Sequence, residues 1–118
     1  MKVKDVLGRF GEDVAARHLE QAGLVLVERN WRCREGEIDI VALDGEVLVF
    51  CEVKTRSGVA FGTPAESVSP AKQRRLRVLA ARWLMDHPRP RWAELRFDVV
   101  SVLRTHDEVI VDHLAGVL

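Results

Sequence analysis

Residues 36–56 read GEIDIVALDGEVLVFCEVKTR. The stretch carries two strand patterns around a turn. Ile38, Ile40 and Ala42 alternate along the first arm, and the apolar run 47–51 fills the second. Asp44-Gly45 lies between them, a dipeptide that favours a two-residue type I′ hairpin turn. That turn sets Leu43 opposite Glu46, Asp39 opposite Phe50 and Glu37 opposite Glu52. Side chains alternate along a strand, so Glu37, Asp39, Glu52 and Lys54 are expected on one face of the sheet. Asp39 is then the diagonal neighbour of Glu52, at roughly 7–8 Å.

The second arm is apolar on both sides. Leu48 and Phe50 share the acidic face, and Val47, Val49, Cys51 and Val53 occupy the other, the pattern of a central strand covered twice. Each pair of directly opposed like charges costs roughly 0.2–1 kcal/mol, and more once water is excluded. Lys54 is one source of compensation and a divalent cation is another. Mg²⁺ suits such ligands, being a hard cation held by one or two carboxylates with waters and phosphate oxygens completing its shell. The plainer alternative is a salt-bridged surface cluster at the end of the hairpin.

The 118 residues are expected to form one domain, 1–118, with a single core. No apolar run approaches the roughly 18 residues of a membrane span, and the N-terminal MKVKDVLGRFGEDVAA turns polar too soon for a signal peptide, so a cytoplasmic protein is the expectation. Cys33 and Cys51 show no disulfide framework or zinc spacing. Aromatic residues make up only 6% with no tyrosine, which argues against a sugar cleft and a carboxylate-pair glycosidase. Net charge is zero but unevenly spread: residues 72–91 hold seven Lys/Arg against one acid, and residues 93–118 hold two against five. A basic stripe on a neutral chain fits a local anionic partner or a solvated helix face.

Outward from the hairpin, residues 4–22 read as a helix ended by Gly23. Leu7, Val14, Ala15, Leu19 and Ala22 span its apolar arc, and Gly8 and Gly11 within the arc permit close approach to a sheet. Glu12 lies at the edge of that arc, where a carboxylate either borders solvent or reaches over the rim into the acidic cluster. Residues 24–33 make a strand with Val25, Val27, Trp31 and Cys33 on one face and Glu28, Asn30 and Arg32 on the other. The Gly/Ser/Pro-rich residues 57–69 form a loop directly after the acidic stretch. Ser69 as N-cap and Pro70 at the first helical position start a second helix running to about Asp86. Leu76, Leu79, Ala80 and Trp83 form its buried face, and Lys72 and Gln73 flank that face in a first turn suited to phosphate. Residues 88–91 connect to strands at 94–103 and 108–113. The order is α-β-β-β-α-β-β, an α/β fold with a central mixed sheet, helices on its faces and the 44–54 strand near its middle.

Asp39, followed after an interval by Glu52-Val53-Lys54, resembles the PD-(D/E)xK signature of the restriction-endonuclease-like nuclease superfamily. The closer resemblance is to the small bacterial proteins of the YraN type. It rests on Gly11-Glu12, Arg29-Asn30-Trp31, Gly36-Glu37-Ile38-Asp39, Glu52-Val53-Lys54-Thr55-Arg56, Phe61-Gly62-Thr63-Pro64, Lys72 and Phe97-Asp98-Val99-Val100, and covers nearly the whole chain. The arrangement is also similar to archaeal Holliday-junction resolvases, in which a glutamate of the first helix joins the metal site. Ile38 stands where the superfamily's nominal motif has proline.

The resemblance implies a restriction-endonuclease-like fold and metal-dependent phosphodiester hydrolysis. Asp39 and Glu52 are the implied ligands of Mg²⁺ or Mn²⁺, with Glu12 joining them or positioning the water. Lys54 is the implied catalytic lysine, and Arg56, Lys72, Gln73 and Arg75 are the implied DNA contacts. The expected activity is that of an endo- or exodeoxyribonuclease, structure-specific for branched or junction DNA, acting as a homodimer that presents two sites. The alternative is a non-catalytic nucleic-acid-binding protein with a vestigial nuclease site.

Overall fold

The computed structural model describes residues 3–58, 68–87 and 94–117. The 61–64 motif and the 88–91 connector lie outside them. The elements are α1 (Val3–Gln21), β1 (Val25–Cys33), β2 (Gly36–Asp44), β3 (Val47–Ser57), α2 (Pro70–Asp86), β4 (Glu94–Arg104) and β5 (Val109–Leu114). This is the expected order, and the five strands form one mixed sheet in sequence order. β1, β2 and β3 pair antiparallel, β4 pairs parallel to β3, and β5 closes antiparallel on β4. The parallel β3–β4 pair requires a crossover between them, and α2 lies in that connection.

Local chemistry sets both helix ends. At the end of α1, Gly23 adopts φ +97°, Leu24 N–H donates to the Leu19 carbonyl at 3.0 Å and Gly23 N–H to the Glu20 carbonyl at 3.0 Å. These are the paired bonds of a Schellman motif, which needs the left-handed residue that Gly23 supplies. At the start of α2, Ser69 Oγ accepts from Lys72 N–H at 3.2 Å with Pro70 at the first helical position, as the sequence predicts.

The sheet separates two cores. Ala15, Ala16 and Leu19 of α1 pack with Ile40, Ala42, Val49, Cys51, Val100 and Val102. Leu76, Leu79, Ala80 and Trp83 of α2 pack with Ile38, Val41, Leu48 and Phe50 on the opposite face. β3 is therefore covered twice, which is why residues 48–51 are fully buried. The Phe50 and Trp83 rings meet edge to face with centroids 5.8 Å apart, worth about 0.5–1.5 kcal/mol beyond area burial. The Trp83 indole N–H donates to Glu28 at 3.0 Å and so ties α2 to β1.

Two sequence expectations are corrected. The hairpin loop is Gly45-Glu46, with Asp44 paired to Val47, Leu43 to Leu48 and Val41 to Phe50. Gly45 has φ +61° while Glu46 has no positive φ, the sign pattern of a type II′ turn rather than type I′. Asp44 is held in the strand by Arg96, whose Nη1 donates to it at 2.9 Å. The change moves each cross-strand partner by two residues, so predicted faces are kept around the turn. The alternation of β1 and of early β2 is not kept. Glu28 and Trp31 face α2, whereas Arg29 between them reaches α1. Likewise Ile38 packs with α2 while Ile40 packs with α1.

Asp98 is fully buried. Arg96 grips it through Nε at 2.9 Å and Nη2 at 3.0 Å, His113 Nε2 lies 2.7 Å away, and Gly116 N–H donates at 2.9 Å. Burial pushes its pKa up, but the hydrogen bonds from His113, Arg96 and Gly116 outweigh it and hold the carboxyl below its ordinary value. The network joins β4, the segment after β5 and the hairpin tip.

Candidate functional site

β2 and β3 stop pairing at Ile40–Cys51. One residue beyond, Asp39 Oδ2 accepts the Val53 N–H at 2.8 Å, a side chain taking over the donor left open as the ladder ends. On the other edge of β2, Arg29 pairs with Ile40 and Trp31 with Ile38, which puts Asn30 and Asp39 on the rung between. Both strands change faces at this rung. The shift sends Ile38 into the α2 core and brings Glu37 beside Glu12 of α1.

Glu12 arrives by close packing. Gly11 is buried against Thr55 of β3, and a Cβ on Gly11 would stand only 2.7 Å from Thr55 Cβ. The missing side chain lets α1 cross the end of β3 at near-backbone contact, which places Glu12 over the acidic strand ends. Carboxylate oxygens of Glu12, Glu37 and Asp39 then lie within 4.8 Å of one another.

Glu12, Asp39, Glu52, Lys54 and Lys72 line one depression of about 310 Å³ with Leu7, Gly8, Val53 and Thr55. Glu37, Glu52, Lys72 and Arg75 line an adjoining one of about 220 Å³ beside Leu76 and Leu79. The two share Glu52 and Lys72. A larger cavity of about 470 Å³, bounded by Val6, Leu7, Phe10 and Arg104, contains none of these acids.

The carboxylates raise one another's proton affinity. Asp39 is pushed up to about 8, first by burial and then by the Glu52 charge, with Val53 N–H opposing and Glu12 and Glu37 adding. Burial also raises Glu52, while Lys72 and Lys54 pull it down. Glu12 is raised by burial and Glu37, against the Asn30 hydrogen bond and the Arg29 charge. The cluster therefore favours a positive occupant, a proton or a cation.

The sequence-derived set is brought together at Glu12, Asp39, Glu52, Lys54 and Lys72, with Arg75 lining the adjoining depression. Gln73 is turned elsewhere, its amide donating to the Val68 carbonyl at 3.2 Å beneath the α2 cap. Arg56 lies further along β3 and lines neither depression. Glu37 was not among the predicted ligands, although its two-residue spacing from Asp39 marked it as a neighbour. Asn30 entered only as a strand residue and within the Arg29-Asn30-Trp31 motif and was given no role in the site; its residue type, enriched at left-handed backbone positions, was a further signal.

The model of a protein family described as "Uncharacterised protein family UPF0102" matches residues 11–102, which include every acid of the cluster. A UPF0102 protein of Beutenbergia cavernae is 58% identical over 118 residues, covering 99% of both chains. One from Frankia casuarinae is 57% identical over 117 residues, covering 98% of each, and one from Nocardia farcinica is 51% identical over 115 residues, covering 97% of this chain and 90% of the relative. On a family match over most of its length and relatives that align end to end, the chain belongs to the UPF0102 family.

Proposed function

We propose that this protein hydrolyses phosphodiester bonds in DNA with the aid of a divalent cation, Mg²⁺ or Mn²⁺, on a restriction-endonuclease-like scaffold. The observation that carries the reading is the convergence of Glu12, Glu37 and Asp39 within 4.8 Å, with Glu12 and Asp39 in a depression that also holds Glu52 and Lys54.

The donor set suits a hard cation. It offers only carboxylate oxygens, and burial leaves Asp39 in need of a positive partner. Asp39, Glu12 and Glu37 would hold the cation, with Glu52 contributing from β3. Bound there, a divalent cation polarises a phosphate oxygen and acidifies a water.

The chain's own groups do the rest. Lys54 offers an ammonium beside Asp39 and Glu52, where it orients a water and offsets charge developing on phosphate oxygens. Val53 N–H fixes Asp39 Oδ2 and leaves Oδ1 for other partners. Lys72 and Arg75, exposed on the first turns of α2 beside Glu52, hold flanking backbone phosphates without reading sequence. A homodimer would present two such sites to a branched substrate.

The test is cleavage of labelled single-stranded, duplex, flapped and four-way-junction DNA in Mg²⁺, Mn²⁺ or EDTA, with Asp39→Ala and Lys54→Ala in parallel. Metal-dependent cutting lost in both variants is the expected result and identifies the preferred structure. DNA binding without cutting, unchanged by Asp39→Ala, would overturn catalysis and leave a nucleic-acid-binding protein acting through the basic face of α2.

A further inference from the structure

The cavity of about 470 Å³ beside α1 holds none of the acids, and its volume falls within the roughly 300–1,000 Å³ of small-ligand sites. Val6, Leu7 and Phe10 of α1 form an apolar wall, and Ser57, Arg104 and His106 close it from the strand ends. Val6 is 53% exposed, so the wall is open to an incoming group. Among the described residues that line the cavity none is acidic.

Arg104 carries the chemistry of this cavity. The Thr105 hydroxyl is committed to Glu108 within the turn between β4 and β5, and His106 Nδ1 lies 3.1 Å from Asp107. Arg104 makes no ion pair among the described residues. Its guanidinium carbon lies 5.2 Å from the Phe10 ring centroid, within the roughly 6 Å of a cation–π contact. A flat ring beside a flat, uncompensated guanidinium suits a planar ligand that also carries negative charge. An unpaired nucleotide meets both demands, since every base has a π-face that stacks on aromatic rings and guanidinium planes and its phosphate is anionic.

The position of the cavity ties it to the acids. Leu7 lines both this cavity and the depression that holds Glu12, Asp39, Glu52 and Lys54. Along β3, Ser57 stands three residues beyond Lys54, about 10 Å of strand. Along α1, Val6 stands six residues before Glu12, about 9 Å of helix. The two elements give the same short step, one that neighbouring nucleotides of a single strand can bridge.

We infer that this cavity receives an unpaired base of the DNA strand whose phosphate lies at the acids, stacked against Phe10 and the Arg104 guanidinium. The inference deepens the DNA reading above and rests on it for the position of the phosphate. It names the substrate class as DNA with an unpaired stretch beside the cleavage point.

The test compares a labelled single strand with an abasic strand of the same length, by fluorescence anisotropy in EDTA. Wild type is expected to bind the base-bearing strand about fivefold or more tightly than the abasic one. Phe10→Leu keeps an apolar side chain against the α1 core but loses the ring, and Arg104→Lys keeps the charge but loses the plane. Each should bring the ratio toward one with little change in abasic binding, and Phe10→Tyr should retain it. A wild-type ratio near one, no binding of either strand, or a ratio that survives Arg104→Lys and a folded Phe10→Leu overturns the inference. Because no cleavage is involved, the two readings fail separately. Metal-dependent cutting with a ratio of one keeps hydrolysis and removes this base site, whereas a base preference without cutting keeps the site and removes hydrolysis.

Discussion

Asp39 Oδ2 accepts the backbone N–H of Val53 at 2.8 Å, across the point where β2 and β3 have ceased to pair. The bond fastens the carboxylate to the strand that carries Glu52 and Lys54. It also leaves a half-buried acid among three other carboxylates, and only one of its hydrogen-bond sites is filled by backbone.

That arrangement predicts a pH-dependent stability. Asp39 titrates near 8 in the folded chain, against about 3.9 in an unfolded one. Its folded pKa is raised, so its stabilising contribution is full below about pH 4 and is lost as pH rises through about 8. Within that window each pH unit removes up to about 1.4 kcal/mol, or roughly 6 °C of melting temperature for a domain of this size. Glu52 and Glu12, also raised, act in the same direction. Thermal melts in EDTA from pH 5 to pH 8.5 should show the decline. Asp39→Asn should flatten it, and Mn²⁺ should restore more stability at pH 8 than at pH 5. A wild-type melting temperature that does not fall between pH 5 and 8 contradicts the electrostatics of the site.

Gly11 and Gly8 lie on the same helix but meet different surroundings. Gly8 has nothing within 4 Å of where a Cβ would stand, whereas Gly11 is pressed on Thr55. Gly8→Ala should therefore be neutral or stabilising by up to about 1 kcal/mol through helix propensity. Gly11→Ala should destabilise by about 1–3 kcal/mol through overpacking, and it should weaken divalent-cation binding because Glu12 is displaced with the helix. Urea denaturation of the two variants, with Mn²⁺ titration of the folded proteins, checks both.

Much of this was legible in sequence because it is set by short-range chemistry. Ser69-Pro70 starts α2, Gly23 ends α1, and the spacing of Leu76, Leu79, Ala80 and Trp83 identifies a buried helix face without reference to anything distant. Glu52 and Lys54 were found because their placement depends on β3, which is regular, and Asp39 of β2 is fastened to that strand through Val53 N–H. Glu37 was expected on the acidic face but not as a ligand, and Asn30 was given no role in the site, because the positions of both depend on a break in alternation. A period-two reading carries no marker for the rung at which β1 and β2 reverse faces, and Asn30 adopts its left-handed backbone where two strands and a helix meet. The turn was misplaced by one residue for a similar reason. Asp44-Gly45 and Gly45-Glu46 both suit two-residue loops, and the choice was made by Arg96, 52 positions from Asp44 in the chain.

Asp98 is the counter-example to reading every buried acid as functional. Its partners Arg96 and His113 fill its oxygens, and it stands outside the depressions that hold the acidic cluster. Removing one member of a buried, satisfied ion pair costs about 3–5 kcal/mol. Asp98→Ala should lose that much in chemical denaturation, leaving the Mn²⁺ affinity of the folded fraction unchanged. Because its folded pKa is depressed, its contribution is present above about pH 3.9 and lost as pH falls through the lower folded value. Asp98→Ala should accordingly reduce the dependence of stability on pH below about pH 4. A large loss of Mn²⁺ affinity without a loss of stability would move Asp98 into the site.

Lys72 and Arg75 make a prediction about DNA that is independent of the acids. Both are exposed on the first turns of α2, and both face Glu52 across the smaller depression. If they hold backbone phosphates, the double variant Lys72→Ala/Arg75→Ala should weaken binding to all DNA sequences alike. The slope of log K against log salt concentration should flatten by about 1 for each phosphate that is no longer neutralised. Arg74→Ala, on the same helix but lining neither depression, is the control and should change the slope less. Fluorescence anisotropy in EDTA between about 50 and about 200 mM salt, the range over which such binding weakens most steeply, measures this without cleavage. A double variant with the wild-type slope would detach α2 from the DNA path and leave the acidic cluster to be approached from its α1 side, past Leu7 and Gly8.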